Sequence, residues 1–325
     1  MLPFPILGHT VQTASLLDDI SSGNVSHAYL FAGAPHIGKF TVAKWFAKTL
    51  LQAGKNPEAA QSVSDQVDRL IHPDLFVLDQ LWIEGKCEDF DVIARSSNIP
   101  QQHRSKKPTA KTDTIGVEDV RVLQDRLFEI GTGAWLCCLI RSIERMHTEA
   151  ANALLKMLEE PPQGVVFLLT TESPSAVLPT ILSRARVLRF FPLSRPEMQP
   201  LIESAPEDEA QFLLRRAQGA PGIIRKLRDN PDAMREEKLL FSKAAEFWRS
   251  SSLMERLHIM KPLAERGEES DALLLHLALA LRAESPENLT ACSASLHDLI
   301  AGLKTNAQRK LLAQKFVLSL EENKT

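Results

Sequence analysis

HAYLFAGAPHIGKFTVAKWFAKTLL, residues 27–51, is the stretch that decides the fold of this protein. The apolar run HAYLFAG (27–33) ends at a glycine and predicts a buried strand, and TVAKWFAKTLL (41–51) has apolar residues at helical spacing. Between them, GAPHIGKFT (33–41) has the glycine and lysine spacing of a phosphate-binding loop. A strand, a glycine loop and a helix in this order form the context that such a loop requires.

The residues of this loop that could bind a nucleotide are Gly33, Gly38 and Lys39. Backbone N–H groups of the turn and of the helix N-terminus cradle phosphates, and the lysine neutralises their charge. The next residue should place a hydroxyl on Mg²⁺, but it is Phe40, and Thr41 lies about 100° further around the helix. We therefore predict no metal site in this chain, while nucleotide binding by the degenerate loop stays open.

The chain has 325 residues, 44% of them hydrophobic and 24% charged, with a formal net charge of -3, which is ordinary for a globular protein. This charge gives no support for wholesale electrostatic binding to DNA. No apolar run reaches about 18 residues, and the first residues, MLPFPILGHT, lack the pattern of a signal peptide, so a cytoplasmic protein without a membrane span is expected. The four cysteines form no CxxC pair, and reduced, mostly buried thiols are expected.

Strand and helix patterns alternate through the first part of the chain and predict a parallel, doubly wound α/β sheet. From residue 195 onward the pattern is helical throughout. The helix TEAANALLKMLEEPP (148–162) is predicted to begin with Thr148 as its N-cap and to end at its prolines. The further strands are predicted at 75–79, 135–141, 164–171 and 186–191.

Residues 84–113 form a polar stretch with little periodicity, which includes the lysines of SKKPTAK (105–111). A solvated insertion is the ordinary interpretation of such a composition. A basic loop that touches DNA is the alternative.

Several motifs resemble one family when they are taken in their order along the chain. HAYLFAG (27–33), HPD (72–74), NALLKMLEEPP (152–162) and ILSRA (181–185) together resemble the bacterial DNA polymerase III clamp-loader subunits. These are AAA+ proteins, which are P-loop ATPases with a helical lid. The resemblance implies an AAA+ α/β core at residues 1–193, a small helical lid at 194–231 and an all-α collar at 232–325.

Within this family the resemblance separates an ATP-hydrolysing gamma/tau motor from a delta-prime subunit that does not hydrolyse ATP. The acidic pair of a motor, one residue for Mg²⁺ and one for water, falls here on Arg141 and Ser142. The arginine of the motor's lid falls on Gly222. With Phe40 in the loop, three parts of an ATPase site are altered, so the chain is most like delta-prime and is expected to have no activity of its own.

The resemblance also implies one functional arginine. Ser183 and Arg184 match the family's Ser-Arg-Cys motif, in which the arginine reaches the γ-phosphate bound by a neighbouring subunit. Ala185 replaces the cysteine and leaves the guanidinium in place. Without the resemblance, Arg184, Arg186 and Arg189 would be read as solvated surface charges.

The expected function is therefore that of a rigid member of a hetero-pentameric ring, beside gamma/tau motor and delta subunits. ATP and Mg²⁺ are expected in the neighbouring subunits, with the sliding clamp reached indirectly and primed DNA contacted weakly. An ATP-hydrolysing gamma/tau-type motor is the first alternative. An interaction protein outside replication that uses the same scaffold is the second.

Overall fold

The computed structural model of the chain describes residues 6–78, 115–127, 133–283 and 286–322. The chain divides into two compact units, Met1–Pro200 with Gln218–Gly222, and Leu201–Ala217 with Ile223–Thr325. The polar stretch at 84–113 lies outside the described residues. The boundaries of core, lid and collar at residues 193 and 231 stay a prediction.

In the part of the chain that the structure describes, the first unit contains one parallel sheet of five strands. Its order is β2-β3-β4-β1-β5, with β1 between β4 and β5. This arrangement brings the loop that follows β1 to the carboxyl edge of the sheet, and it confirms the predicted α/β fold. The strands are β1 (Ala28–Ala32), β2 (Leu75–Leu78), β3 (Leu136–Ile140), β4 (Val165–Thr171) and β5 (Arg186–Arg189).

The alternation of side chains along β1 explains why both faces of the sheet are covered. Ala28 and Leu30 belong to one hydrophobic core, while Tyr29 and Phe31 belong to another. All four residues are fully buried. Strands of a parallel sheet that is buried on both faces read as continuous apolar runs, as HAYLFAG does.

Seven helices of the first unit are described, and two of them differ from the sequence prediction. The helix that starts at Pro57 was missed, although Asn56 accepts a hydrogen bond from the Ala59 N–H at 2.8 Å and proline occupies the first helical position. Thr148 is not an N-cap: His147 has the extended backbone conformation of the cap, so Thr148 is already helical. The helices are α1 (Thr10–Ser21), α2 (Lys39–Gln52), α3 (Pro57–Asp68), α4 (Val117–Leu127), α5 (Thr148–Glu159), α6 (Pro179–Leu182) and α7 (Arg195–Met198).

A buried polar network ties α1 to the central strands. The Tyr29 hydroxyl donates to the buried Asp19 carboxylate at 2.9 Å and accepts from the Ser26 N–H at 2.9 Å. Arg186 of β5 pairs with the same carboxylate and donates to the Ser15 hydroxyl. Burial, assisted by the neighbouring Asp19, raises the pKa of Tyr29 to about 12.

The second unit consists of helices around a separate core, as the sequence predicts for this part of the chain. Phe247 stacks on Phe316 with ring centres 5.8 Å apart, and the surrounding leucines and alanines are buried. Residues 221–222, at the start of the helix Pro221–Asp229, belong to the first unit. The described helices are α8 (Glu207–Ala217), α9 (Pro221–Asp229), α10 (Pro231–Arg249), α11 (Leu253–Ile259), α12 (Glu268–Leu281), α13 (Pro286–Leu303) and α14 (Arg309–Glu322).

An ionic cluster joins α8, α10 and α12 within the second unit. Glu237 accepts hydrogen bonds from both Nε and Nη2 of Arg216, and its carboxylate lies 2.8 Å from Nε2 of the buried His276. Burial by itself would raise the pKa of Glu237, but the hydrogen bonds from His276 and Arg216 lower it to about 2. Glu237 is therefore ionised in the folded state at neutral pH.

Two further sequence predictions can be followed in the described residues. Cys137 and Cys138 are fully buried, free of disulfides, and face opposite cores of the sheet, while Cys292 is half-buried. Burial raises the pKa of both strand thiols. None of the described helices combines the length and the apolar character that crossing a bilayer requires.

Candidate functional site

The phosphate loop connects β1 to α2, and two glycines shape it. At Gly33, an added Cβ would lie 2.5 Å from the Phe190 carbonyl oxygen, so the backbone passes too close to the end of β5 for any side chain. Gly38 precedes α2 with a φ of 106°, in the left-handed region that favours glycine. The structure therefore brings the predicted residues Gly33, Gly38 and Lys39 together in one turn at the start of a 14-residue helix.

Lys39 bonds to the loop itself. Its Nζ donates to the carbonyl oxygens of Gly33 at 2.7 Å and of Ala34 at 2.6 Å, and the residue is 8% exposed. Burial lowers the pKa of Lys39, and the acidic groups of Glu172 and Glu144 oppose that change. The lysine thus stabilises the carbonyl side of the turn, a role that the loop pattern alone did not indicate.

Phe40, where the family resemblance expects a hydroxyl for magnesium, contacts Arg141, where it expects a carboxylate. The guanidinium carbon of Arg141, which follows β3, lies 4.6 Å from the centre of the Phe40 ring. A cation over the face of an aromatic ring is attracted by the ring's quadrupole. Magnesium requires oxygen ligands, and this pair offers a hydrocarbon face and a positive charge, so these residues do not fit the ion.

The residues next to Arg141 also lack the arrangement of a metal site. The Ser142 N–H donates to the Thr170 hydroxyl at 3.1 Å, which joins the ends of β3 and β4. Glu144 accepts a hydrogen bond from the Glu172 N–H at 3.0 Å, so one of its oxygens holds the backbone after β4. Within the described ranges, no group of three histidine, cysteine or acidic residues could hold a metal ion.

The predicted position of the lid arginine packs against the phosphate loop. The Gly222 N–H donates to the His36 carbonyl oxygen at 2.9 Å. An added Cβ at Gly222 would lie 2.8 Å from that oxygen and 3.2 Å from the His36 Cβ. Both residues belong to the first unit. A side chain at this position would therefore displace the loop, which explains why glycine suits this contact.

Arg184 follows the short helix α6 and lies at the surface. Its Nη2 forms an ion pair with the Glu159 carboxylate at 2.9 Å, and its Nη1 donates to the Thr180 carbonyl oxygen at 3.1 Å. The Ser183 hydroxyl is 3.4 Å from Nη1 and donates to the same carbonyl at 3.0 Å. The structure therefore brings ILSRA together with the end of NALLKMLEEPP, and it shows a partner, Glu159, that sequence reasoning missed.

Several other polar residues near these segments have structural roles. Arg186 is engaged by Asp19, and Thr170 and Thr171 are buried and accept hydrogen bonds from backbone N–H groups. The Asp74 N–H donates to Nδ1 of His72, so the HPD motif forms a turn before β2. Arg184 as a trans-acting residue and the loop as a nucleotide site stay predictions.

A five-stranded parallel sheet in this order, with a phosphate loop between β1 and α2, defines a P-loop protein of the AAA+ class. The sequence model of the family described as DNA polymerase III, delta subunit, matches residues 8–194, which is more than half of the chain. The chain belongs to that family.

Individual relatives support the same grouping. The chain is 30% identical over 205 residues to the DNA polymerase III subunit gamma/tau of Mycobacterium bovis, in a match that covers 63% of this chain and 31% of that protein. It is 32% identical over 197 residues to the delta' subunit of Pseudomonas aeruginosa, covering 58% of this chain and 50% of that protein. The chain thus spans between 31% and 50% of the length of these relatives.

One solved structure supports the fold. A DNA polymerase III gamma subunit-related protein from Thermotoga maritima superposes with a TM-score of 0.51 at 17% identity, over 97% of this chain and 100% of that chain. At this identity the likeness concerns the fold alone.

Proposed function

We propose that this chain is a delta-prime-type subunit of the DNA polymerase III clamp loader that does not hydrolyse ATP. The contact between Arg141 and Phe40, at 4.6 Å, is the observation that carries the proposal. Each residue stands where the family resemblance expects a magnesium ligand, and together they put a cation on an aromatic ring in its place. Hydrolysis of ATP through a magnesium ion needs those ligands.

Two further contacts support the same proposal. Lys39 donates to carbonyl oxygens of its own loop, and Gly222 packs its backbone against His36. An arginine at position 222, where a motor has its lid arginine, would clash with the loop backbone at His36. These contacts support a loop that serves as a packed structural element.

Arg184 is the residue through which the chain would act on a neighbour. Its side chain is 35% exposed and is carried by a helix end that is anchored in the core. A guanidinium supplied by an adjacent subunit stabilises charge that develops during phosphoryl transfer, and such residues contribute roughly 10³–10⁵ in rate in GTPases. Ser183 supports Arg184 through the Thr180 carbonyl that both side chains share.

The partners follow from this role. Gamma/tau motor and delta subunits would complete a hetero-pentameric ring, with ATP and Mg²⁺ bound by the motors. The ring would open a sliding clamp and place it on primed DNA in replication. This chain would contact the clamp indirectly and the DNA weakly.

A gamma/tau-type motor is the second candidate, and one observation favours it. The mycobacterial gamma/tau proteins are among the relatives, and Gly33, Gly38 and Lys39 of the phosphate loop are retained. A motor would lose its ATP turnover when Lys39 is replaced, because the lysine neutralises phosphate charge.

A loader reconstituted with gamma/tau and delta subunits separates the two candidates. We would measure clamp- and DNA-stimulated ATP turnover with wild-type chain, Lys39→Ala and Arg184→Ala, after showing that each variant assembles. The proposal predicts that Lys39→Ala retains wild-type turnover and that Arg184→Ala loses most of it. Loss with Lys39→Ala, together with magnesium-dependent turnover by the isolated wild-type chain, would establish a motor instead.

A further inference from the structure

The ion pair between Arg184 and Glu159 joins the two motifs that most resemble the clamp-loader family. Glu159 is the last residue of α5, and Arg184 comes two residues after the end of α6. The distance from Nη2 to the carboxylate oxygen is 2.9 Å, within the range of a charge-assisted hydrogen bond. The pair is partly exposed, with the Arg184 side chain 35% and the Glu159 side chain 50% accessible.

The backbone on both sides of this pair is fixed by the core. Ile181 and Ala185 flank the arginine and are buried, and Met157 and Leu158 before the glutamate are buried in the same hydrophobic cluster. The two ends of the ion pair are therefore held by rigid elements. The Arg184 guanidinium can therefore move mainly by rotation about its own side-chain bonds.

The hydrogen bonds of Arg184 leave one edge of its guanidinium available. Nη2 forms the ion pair with Glu159, and Nη1 donates to the Thr180 carbonyl and lies 3.4 Å from the Ser183 hydroxyl. A guanidinium has five N–H donors. Among contacts with the described residues, Nε–H donates to no acceptor and Nη2 has only the ion pair with Glu159, so the group can be held and still bind a phosphate oxygen.

Glu159 is poorly placed to stabilise its own helix. A carboxylate at a helix C-terminus meets the negative end of the helix dipole, which disfavours it. The arginine offsets this charge. An exposed arginine also loses considerable side-chain entropy when it is fixed for recognition, and a preformed ion pair reduces that loss at the moment of binding.

From these observations we propose that Glu159 is a positioning residue, which holds the Arg184 guanidinium in the orientation that meets a phosphate on the neighbouring subunit. This inference rests on the proposed function, because it assigns to Glu159 a role that is exerted through Arg184. Glu159 touches no nucleotide itself, and it remains paired with Nη2 while Nε–H stays available to a phosphate oxygen.

The test is a double-mutant cycle in a loader reconstituted with gamma/tau and delta subunits. The chains are wild type, Glu159→Gln, Arg184→Ala and the double variant. Glu160→Gln is the matched control, since it removes another exposed charge one residue away. Glu159→Asp restores the charge on a shorter side chain. We would measure kcat and KM for ATP, and the melting temperature of each isolated chain.

We expect Glu159→Gln to lower kcat about five-fold with KM for ATP unchanged, because the neighbour binds the ATP and only the alignment of the arginine suffers. Glu159→Asp recovers part of the loss, and Glu160→Gln equals wild type. In the Arg184→Ala background, Glu159→Gln has no further effect, since the residue through which it acts is gone.

The failures of the two proposals are distinguishable. If Arg184→Ala turns over like wild type, the proposed function fails, and the role of Glu159 fails with it. If Arg184→Ala is impaired while Glu159→Gln is not, or if Glu159→Gln costs the same factor in both backgrounds, only the positioning role is overturned. A lower melting temperature in Glu159→Gln with an equal loss in both backgrounds would make Glu159 a structural residue.

Discussion

The guanidinium carbon of Arg141 lies 4.6 Å from the centre of the Phe40 ring, so two departures from a motor's phosphate site contact each other. Phe40 belongs to the first turn of α2, and Arg141 follows β3. The contact joins the start of α2 to the end of β3, and a cation over an aromatic face is an attractive arrangement.

The first prediction measures this contact. Phe40→Leu and Arg141→Met are made singly and together, and the free energy of unfolding is obtained by denaturant titration. We expect a coupling of about 0.5–1 kcal/mol, the range for cation–aromatic pairs near a surface. Other contacts of either residue cancel in the cycle, so additivity of the two single changes would show that the ring and the guanidinium do not stabilise each other.

The second prediction concerns the close approach of Gly222 to the loop. Gly222→Ala should lower the free energy of unfolding by about 1–3 kcal/mol, since the new Cβ would lie 2.8 Å from the His36 carbonyl oxygen. Gly116→Ala is the control, because the atom that a Cβ there would meet first is 3.5 Å away. If both substitutions lowered the free energy of unfolding equally, the close backbone approach of Gly222 to the loop would not be what makes a side chain unfavourable there.

The third prediction uses the fact that Tyr29 is the single tyrosine of the chain. Its raised folded-state pKa means that the neutral phenol is favoured by folding, so this contribution to stability is complete below about pH 10 and is lost as the pH rises towards about 12. Tyrosinate absorbance near 295 nm should therefore develop about two pH units later in the native protein than in denaturant. Titration at the same pH in both states would contradict the buried Asp19–Tyr29 network.

The fourth prediction concerns Glu237 and acid. Its folded-state pKa of about 2 lies below its ordinary value of 4.5, so its contribution to stability is present above about pH 4.5 and is lost as the pH falls towards 2. Glu237→Gln should cost roughly 2–3 kcal/mol at pH 7 and much less at pH 3.

The matched control for this prediction is Glu236→Gln, a neighbouring exposed glutamate on the same helix. It should change stability by less than about 0.5 kcal/mol at either pH. The difference in the free energy of unfolding between wild type and Glu237→Gln should shrink from pH 7 to pH 3. An equal difference at both pH values would show that Arg216 and His276 do not hold the Glu237 carboxylate ionised.

Much of the first unit could be predicted from the sequence, because its elements are marked by local patterns. Fully buried strands appear as continuous apolar runs, and HAYLFAG and GVVFLLTT both fall on strands. Local signals were also available for the helix that was missed, since Asn56 and Pro57 are a preferred N-cap and first residue. At Thr148 the cap was placed one residue late, because a threonine before an apolar stripe resembles a cap whether or not the preceding residue has the extended conformation.

The contacts that define the site could not be predicted from local pattern. Each of these contacts joins segments that are distant in sequence, brought together by the order of the strands or by a core that two helices share. The contacts are Phe40 with Arg141, Gly222 with His36 and Glu159 with Arg184. Through the family resemblance, residue types indicated which positions differ from the motor pattern. Only the structure shows that Phe40 and Arg141 contact each other and that Gly222 contacts the loop.

The measurement that tests the central claim most directly is the steady-state ATP turnover of a loader that contains wild-type motors and one altered copy of this chain. Arg184→Ala is compared with Arg189→Ala, an exposed arginine of the neighbouring strand, at equal assembly and with saturating clamp and primed DNA. The account predicts that Arg184→Ala lowers turnover by more than about ten-fold while Arg189→Ala matches wild type. Equal turnover by all three loaders would contradict the claim that this chain acts by supplying Arg184 to its neighbour.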